Sequence, residues 1–269
     1  MMLKRKNRRF SIMACGYKKS GKSSFFNTLF NSQIVPIKNS SEINLYMLNV
    51  DCEGITQKIS LIDTPGFGSE LQDTTIQNNI VDFIKLQFDN FINEESKIRR
   101  DSSFEDSRVH CMLYFIPCTG SGLKENDLQF LKRVHNIVNI IPVISKADGI
   151  TNDKKIKLKE RINEQLKNNE INIFDFEHKD YYERIETEES INKYVPFSII
   201  SGDMKSEKTR ERSFEWGTVE IDNPDHSDFI ILKEILLGTH LNVLIDFTGS
   251  ELYETYRENV LERKVGVPY

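Results

Sequence analysis

The sequence predicts an α/β fold with a mainly parallel β-sheet flanked by helices. Two observations carry this prediction. The runs 109–116 and 138–144 are almost continuously apolar, as in strands covered on both faces. They alternate with segments of helical periodicity at 74–99 and 123–137. The 269 residues suffice for one large domain, and no linker rich in proline, glycine or serine divides them, so we expect one domain with appendages.

Composition narrows the class of protein. Charged residues make up 29% and hydrophobic residues 38%, which is polar for a globular protein but far from a disordered composition. The net charge of -5 argues against wholesale binding of nucleic acid. No segment approaches 18 consecutive apolar residues and no apolar run follows the first charges, so we expect neither a membrane span nor a secretory signal. The four cysteines lack CxxC spacing, which favours reduced thiols in a cytoplasmic protein.

The segment Gly16–Ser23 has the spacing G-x-x-x-x-G-K-S, after a strand pattern at 10–15 and before a helical pattern at 24–30. Such glycines let the backbone turn so that several N–H groups point at a phosphate chain, at the positive end of the following helix. A chance match in an ordinary turn is the alternative, and the strand-before, helix-after context argues against it. The segment predicts a P-loop NTPase fold of the Ras-like type. The predicted nucleotide-contacting residues are Gly16, Lys18, Lys19, Ser20, Gly21, Lys22, Ser23 and Ser24.

A predicted β-hairpin over 45–62 leads into Asp63-Thr64-Pro65-Gly66. In P-loop GTPases an Asp that leaves a strand lies near Mg²⁺, and a Gly three residues later has an N–H that senses the terminal phosphate. The same four residues also suit an ordinary turn. Their position forty residues after Ser23 favours the nucleotide site. We therefore expect Asp63 and Ser23 to bind Mg²⁺, Lys22 to reach the outer phosphates and Gly66 to contact the last one.

A later predicted strand ends in Ser145-Lys146-Ala147-Asp148, and this tetrad indicates which base is bound. A carboxylate accepts two hydrogen bonds from the N1–H and N2 amino groups of guanine, whereas adenine offers no such donor pair. The long stem of Lys146 can lie over the base plane. Asp148 alone would suit a helix cap, but in register with the P-loop it favours guanine. Ser201 and Gly202, after the next strand pattern, are expected to offer backbone groups to the base.

The basic segment Lys4-Arg5-Lys6-Asn7-Arg8-Arg9 directly precedes the first strand pattern. Cations of this kind bind anionic lipid headgroups with about 1 kcal/mol each near a charged surface. A solvated tail, a nuclear-localisation signal and an RNA-contacting arm are alternatives.

Three further features are expected to be structural. His110 lies within the strand pattern at 109–116 and is expected to be a hydrogen-bonded core residue rather than a catalyst. The charged helix at 151–169 suits a solvated face. The chain is expected to end in two helices, 229–240 and 250–264, and the apolar stripe of the second is too short for a coiled coil.

Taken in order, these motifs resemble those of the septins. They are the P-loop, Asp63-Thr64-Pro65-Gly66-Phe67-Gly68, Arg108-Val109-His110-Cys111, Gly122-Leu123-Lys124, Ser145-Lys146-Ala147-Asp148 and Trp216-Gly217. The likeness runs from about residue 4 to about residue 260. General Ras-like GTPases have an Asn before the lysine of the base motif, whereas a tetrad similar to Ala-Lys-Ala-Asp is typical of septins.

The resemblance implies a GTP-binding cytoskeletal protein of cell division that polymerises, with GTP or GDP and Mg²⁺ as ligands and other septin subunits as partners. Septins alternate two interfaces along a filament, one across the nucleotide pockets and one formed by terminal helices. By similarity, Arg212 lies against the guanine, and Lys4 to Arg9 form a polybasic segment linked to phosphoinositides and to the second interface. The implied division is a basic arm at 1–9 and a GTP-binding domain at 10–269, whose part at 207–269 is family-specific.

Four positions depart from the family pattern. Lys19 takes the place of the middle glycine of the P-loop, and Ser121 that of a histidine which reaches across the nucleotide interface. Ser201-Gly202 reverses the usual Gly-Ser order. Ser40 aligns without gaps, counted back from Asp63, on the switch threonine of hydrolysing septins. The resemblance therefore implies that Ser40 supplies the hydroxyl that completes the Mg²⁺ site.

Three hypotheses about activity stay open. The first is a slow GTPase in which Lys22, Ser40 and Gly66 are catalytic and Mg²⁺ is held by Ser23, Ser40 and Asp63. Phe67 stands where a water-orienting glutamine would follow the motif, so we expect turnover of about 10⁻⁴ per second at best. The second is a structural filament subunit that binds GTP without hydrolysis, because Ser replaces Thr at position 40. The third is a solitary switch GTPase that does not polymerise.

Overall fold

A computed structural model of the chain describes residues 8–38, 40–52, 55–68, 73–99, 101, 104–178, 190–202, 211–215 and 217–265. Several predicted features lie outside the described residues: Lys4, Arg5 and Lys6 of the basic arm, the turn of the hairpin over 45–62, and Trp216.

The central element is a six-stranded sheet with the strand order β2-β3-β1-β4-β5-β6. Only β2 is antiparallel to its neighbour, since β1, β3, β4, β5 and β6 all pair in parallel. The mainly parallel sheet and the β2–β3 hairpin predicted from the sequence are thus confirmed. The strands are β1 Arg9–Gly16, β2 Asn44–Cys52, β3 Ile55–Asp63, β4 Cys111–Pro117, β5 Ile140–Ser145 and β6 Phe197–Ile199.

Helices cover both faces of this sheet. Alternation along β1 sends Phe10, Ile12 and Ala14 into the core on one face, and Met13 and Cys15 into the core on the other. The helices before residue 200 are α1 Lys22–Phe30, α2 Asp73–Glu95, α3 Glu125–Val134 and α4 Asn152–Asn168. The first face is covered by α1 and by C-terminal helices at Phe229–Glu234 and Leu241–Phe247, and the second by α2, α3, α4 and the last helix, Tyr253–Val265.

The C-terminal part differs from the two helices expected there. It is a nearly continuous helical run of α5 Phe229–Glu234, α6 Leu241–Phe247 and α7 Tyr253–Val265, joined by π-helical turns at Ile235–Thr239 and Thr248–Leu252. The sequence analysis did not predict α6. Leucine and β-branched residues dominate this segment and suit a strand equally well. Packing decides for the helix, since Leu241, Val243, Leu244 and Ile245 are all buried against the sheet.

A small hairpin that the sequence analysis missed precedes these helices. Its strands, β7 Glu211–Phe214 and β8 Gly217–Glu220, pair in antiparallel orientation outside the main sheet. Their side chains are mostly exposed and alternate too weakly to stand out in the sequence. The hairpin matters because β7 carries Arg212.

Arg108 joins the start of β4 to α2 and α7. Its guanidinium makes two hydrogen bonds to Asp106, at 3.0 and 2.7 Å, and lies 3.8 Å from the ring centroid of Phe91 and 4.9 Å from that of Tyr253. His110 is fully buried, and its Nδ1 accepts a hydrogen bond from the Ser11 N–H at 3.0 Å, which agrees with the structural role expected for it. Arg108 therefore lies between Phe91 of α2 and Tyr253 of α7. The hydrogen bonds that Tyr253 makes to Glu95 and Tyr256 to Asp89 also join these two helices.

Two members of the basic arm are described, and both are paired with acids. Arg8 forms an ion pair with Asp246 of α6. Arg9 is the first residue of β1 and forms an ion pair with Glu105, which also pairs with Lys58. Among the described residues, no helix is long and apolar enough to cross a bilayer.

Candidate functional site

The predicted site residues gather at the carboxyl ends of β1, β3 and β5. The chain proceeds from β1 to β3 on one side and then crosses to β4 on the other side, so the topology reverses beside β1. Crevices at such reversals are the usual ligand sites of open α/β sheets. A cavity of about 910 Å³ lies there, between the P-loop, Asp63–Gly66 and the start of α2.

The P-loop forms the tight turn that its spacing predicts. Gly21 has φ 89° and immediately precedes α1, and Gly16 has φ 128° with no room for a Cβ beside the Phe115 backbone. Lys19 also has a left-handed conformation, with φ 60°, at the position where the family pattern has glycine. The loop therefore makes the same turn with Lys19 as with glycine, and the left-handed conformation of Lys19 costs about 1–2 kcal/mol. Lys18 and Lys19 are both exposed at the edge of the cavity.

Lys22 is buried at the floor of the cavity. Its Nζ donates hydrogen bonds to the carbonyl oxygens of Gly16 at 3.3 Å and Tyr17 at 2.7 Å. Burial lowers the pKa of Lys22, and the nearby Cys15 and Asp63 oppose this shift. The ammonium group thus lies within the loop, where phosphate oxygens would meet it.

Ser23 and Asp63 face each other across this floor. The Ser23 hydroxyl donates a hydrogen bond of 2.7 Å to Asp63 Oδ2, whereas Oδ1 is buried without a hydrogen-bond partner among the described residues. Burial raises the pKa of Asp63, against the opposing effects of Ser23 and Lys22. One carboxylate and one hydroxyl suit Mg²⁺, which usually takes one or two protein ligands beside substrate phosphates and water. The unsatisfied Oδ1 is consistent with a cation at this position.

The segment Thr64–Gly68 lies against β1 and the P-loop. The Thr64 N–H and hydroxyl both donate to the Ala14 carbonyl, at 3.3 and 2.9 Å. Phe67 is 2% exposed and packs on Phe130, with ring centroids 5.6 Å apart. A side chain so deeply packed cannot orient a water molecule in the cavity.

Ser40 lines the cavity opposite these residues. Its Oγ accepts hydrogen bonds from the Glu42 N–H at 3.1 Å and from Asn44 Nδ2 at 2.9 Å, and its hydroxyl lies 3.1 Å from the Glu42 carbonyl oxygen. Its hydroxyl is therefore engaged within its own segment.

The residues expected at the base form a separate group beyond Lys146. Asp148 has a side chain only 6% exposed, and its Oδ2 accepts a 2.8 Å hydrogen bond from Arg212 Nη1. Asp148 Oδ1 is buried and has no hydrogen-bond partner among the described residues. Lys146 lines the cavity, whereas Asp148, Ser201, Gly202 and Arg212 lie outside its lining. The Asp148–Arg212 contact was not anticipated from the sequence, which placed Arg212 against the base.

Five polar residues of the cavity were not assigned to the site by the sequence analysis, namely Lys38, Ser41, Thr64, Thr75 and Asn79. Thr75 and Asn79 lie one helical turn apart on α2, and Lys38 precedes Ser40. The i, i+4 spacing of Thr75 and Asn79 was a usable signal, because it places both on one face of the helix. Among the described residues the lining is strongly basic, since its only carboxylate there is Asp63 and its cations are Lys18, Lys19, Lys22, Lys38 and Lys146. This charge favours a polyanionic ligand, although the whole chain carries -5.

Comparison with known proteins identifies the family. The septin family model matches residues 6–267. The chain is 52% identical over 262 residues to cell division control protein 11 of Encephalitozoon cuniculi, covering 97% of this chain and 98% of that protein. It is 34% identical to septin-9 of Rattus norvegicus, of which it spans only 46%. The crystal structure of Cdc11 from Saccharomyces cerevisiae superposes with a TM-score of 0.62 at 30% identity, covering 94% of this chain and 99% of that one. The chain belongs to the septin family.

Proposed function

We propose that this chain binds GTP and GDP together with Mg²⁺ and assembles with other septin subunits into oligomers and filaments that act in cell division. The observation that carries this proposal is the basic cavity in which Lys22, Ser23 and Asp63 meet, with Lys146 at its edge. Such a cavity has the charge and the turn geometry that a triphosphate requires.

At the phosphate end, the N–H groups of the P-loop and the ammonium group of Lys22 bind the outer phosphates. Lys18 and Lys19 add positive charge at the edge. Ser23 and Asp63 would hold Mg²⁺, and the Ser40 hydroxyl would complete the site if it were free of its contacts with Glu42 and Asn44. When bound, Mg²⁺ neutralises charge on the phosphate oxygens.

At the base end, Asp148 accepts the two donors of guanine. Its Oδ1 is available for one donor, and Oδ2 shares a second with Arg212. Ser201 and Gly202 follow β6 and offer backbone groups to the base. Lys146 joins the two ends of the site, because it lines the phosphate cavity and lies two residues before Asp148.

Hydrolysis is proposed to be slow. Water attacks the γ-phosphorus and the bond to the β–γ bridging oxygen breaks, giving GDP and phosphate. Lys22 and the Gly66 N–H stabilise the charge that develops on the phosphate oxygens. Phe67 is packed in the core and supplies no water-orienting group, so turnover is expected at about 10⁻⁴ per second at best.

The alternative is a filament subunit that binds GTP and does not hydrolyse it. The observation that favours it is the local engagement of Ser40 with Glu42 and Asn44. Incubation of purified chain with GTP and Mg²⁺, followed by chromatography of the extracted nucleotide, separates the two functions. A slow GTPase would accumulate GDP over hours, and the Ser40→Ala variant would not. GTP that stays unchanged would favour the filament subunit that does not hydrolyse it.

Assembly is the part of the proposal that distinguishes this chain from a solitary switch GTPase. The names of the relatives, cell division control protein 11 and septin-9, support a role in division and in septin assemblies. We propose a cytoplasmic, cortical location, with the basic arm at 1–9 in contact with anionic membrane and the domain at 10–269 in the filament. Electron microscopy at low salt with the cellular septin partners tests this, and particles that stay monomeric contradict it.

A further inference from the structure

We propose that Tyr17 is a positioning residue that holds Phe67 and Gly68 against the P-loop, so that the segment 63–68 keeps one conformation with GDP and with GTP. This inference rests on the proposed function and names a property of the same site. In a switch-type GTPase, the terminal phosphate draws this segment in through a glycine N–H and releases it after hydrolysis. The contacts around Tyr17 are all between groups of the protein itself and involve no phosphate oxygen.

Backbone hydrogen bonds tie the segment to the P-loop on both sides of Tyr17. The Lys18 N–H donates to the Phe67 carbonyl at 2.9 Å, and the Phe67 N–H donates to the Gly16 carbonyl at 3.3 Å. Tyr17 and Phe67 form an isolated parallel bridge, one residue after the end of β1 and four residues after the end of β3. This bridge ties the residues that would have to move to the P-loop.

The ring of Tyr17 closes the remaining space. A Cβ at Gly68 would overlap the Tyr17 ring, and a Cβ at Gly66 would overlap the backbone of Lys18. The rings of Tyr17 and Phe67 lie 6.3 Å apart, and Phe67 is itself packed in the core. Both glycines are thus in close contact with the P-loop, and the segment 63–68 cannot move further toward it.

The phenol end of Tyr17 is anchored to a buried carboxylate. Tyr17 Oη donates to Asp127 Oδ2 at 2.8 Å, and the same carboxylate accepts hydrogen bonds of 2.8 Å from Tyr114 Oη and from the Lys124 N–H. Asp127 is only 1% exposed. The Lys124 ammonium lies 5.2 Å from the centroid of the Tyr17 ring. The ring cannot swing away without breaking a hydrogen bond to a buried charge, which is the costly kind to break.

A ligand shifts a conformational equilibrium only by its differential affinity for the two states. Tyr17 stabilises one state by its ring and its phenol, and the neighbouring Gly16 and Lys18 add the two backbone hydrogen bonds to Phe67. The segment 63–68 is therefore expected to have the same conformation with GDP as with GTP. Removal of the Tyr17 ring is expected to make this conformation depend on the terminal phosphate.

Amide hydrogen exchange of the full chain tests this, in nucleotide-free form, with GDP and Mg²⁺, and with a non-hydrolysable GTP analogue and Mg²⁺. In the parent chain, exchange of the Lys18 and Phe67 amides should agree within about twofold between GDP and the analogue. Tyr17→Ala should separate these two states by about tenfold or more. Tyr17→Phe, which keeps the ring over Gly68, should fall between. Tyr114→Phe is the matched control, since it removes one hydrogen bond from Asp127 without touching the P-loop, and it should behave as the parent.

A tenfold difference between GDP and the analogue in the parent would overturn the inference, as would equal behaviour of Tyr17→Ala and Tyr114→Phe. If thermal unfolding shows that Tyr17→Ala does not fold, Tyr17→Phe is compared with Tyr114→Phe instead. Tyr17→Phe must then show the larger difference in exchange between GDP and the analogue. A chain that retains no guanine nucleotide would defeat the proposed function. The inference would then be decided by the nucleotide-free form, in which Tyr17→Ala must exchange Lys18 and Phe67 faster than Tyr114→Phe does.

Discussion

Substitution of Asp148 by Asn is the sharpest test of base recognition. The Asp148 side chain is almost fully buried, with Oδ2 bonded to Arg212 and Oδ1 unpartnered among the described residues. Guanine would place N1–H and the N2 amino group against these oxygens. Two hydrogen bonds to a charged acceptor contribute about 1.5–3 kcal/mol each, and an Asn amide oxygen keeps one neutral bond of about 1 kcal/mol. The expected net loss is about 2–5 kcal/mol, which raises the Kd for GDP about 30- to 5000-fold.

The same substitution should favour xanthine. Xanthine carries a carbonyl where guanine carries the N2 amino group, so the Asn amide N–H₂ can donate to it while the amide oxygen accepts from N1–H. Calorimetric titration of GDP, XDP and ADP at fixed Mg²⁺ measures both effects. Asp153→Asn is the matched control, because it removes an exposed charge five residues away and should leave all three affinities unchanged. If Asp148→Asn bound GDP as the parent does, or XDP no better, base recognition by Asp148 would be refuted.

Three further predictions concern charge. Because burial raises the folded-state pKa of Asp63 above its ordinary value of 3.8, ionised Asp63 costs stability at neutral pH, and the cost disappears as the pH falls through the raised pKa. Asp63→Asn should therefore stabilise the Mg²⁺-free chain at pH 7 by about 1 kcal/mol, which corresponds to a rise in Tm of about 2–4 °C. The rise in Tm should be smaller near pH 4, and a lower Tm at pH 7 would contradict this prediction. Arg108→Leu removes both guanidinium hydrogen bonds to Asp106 and the contacts with Phe91 and Tyr253, while the backbone N–H of residue 108 still donates to Asp106. It should cost about 3 kcal/mol in urea unfolding, and a loss below about 1 kcal/mol would contradict a structural role for the guanidinium group. Replacing Lys4, Arg5 and Lys6 with serine should weaken binding to anionic vesicles about a hundredfold, at about 1 kcal/mol per cation. Arg9→Gln should have little effect, because the Arg9 side chain is 15% exposed and paired with Glu105. Equal losses of binding in the two variants would contradict this prediction.

Local patterns in the sequence were sufficient for the sheet and for the positions of the motifs. β1, β4 and β5 are buried on both faces, so their sequences are apolar runs that stand out without any alignment. The P-loop spacing encodes its own geometry, because the chain can turn there only with residues such as Gly16 and Gly21 in left-handed or similar conformations. Lys19 follows the same turn against its intrinsic preference, which a pattern of residue types cannot foresee.

The features that the sequence analysis missed depend on contacts between distant residues. Tyr17 bonds to Asp127 across 110 residues of chain, and Arg212 bonds to Asp148 across 64. Neither pair has a local signature. Helix α6 was missed because its apolar residues suit strand and helix equally, and only burial against the sheet decides between them. The two missed contacts fall at the site itself, and in all three cases tertiary contacts override local preference.

The most direct test of the central claim is the nucleotide that the purified chain retains. The chain is incubated with equal GTP and ATP in Mg²⁺, desalted, denatured and analysed by chromatography. The account predicts about one guanine nucleotide per chain and no adenine nucleotide, with retention lost in EDTA, since it assigns one P-loop with one Mg²⁺ site to each chain. A chain that retains neither nucleotide, or retains ATP as readily as GTP, would contradict it.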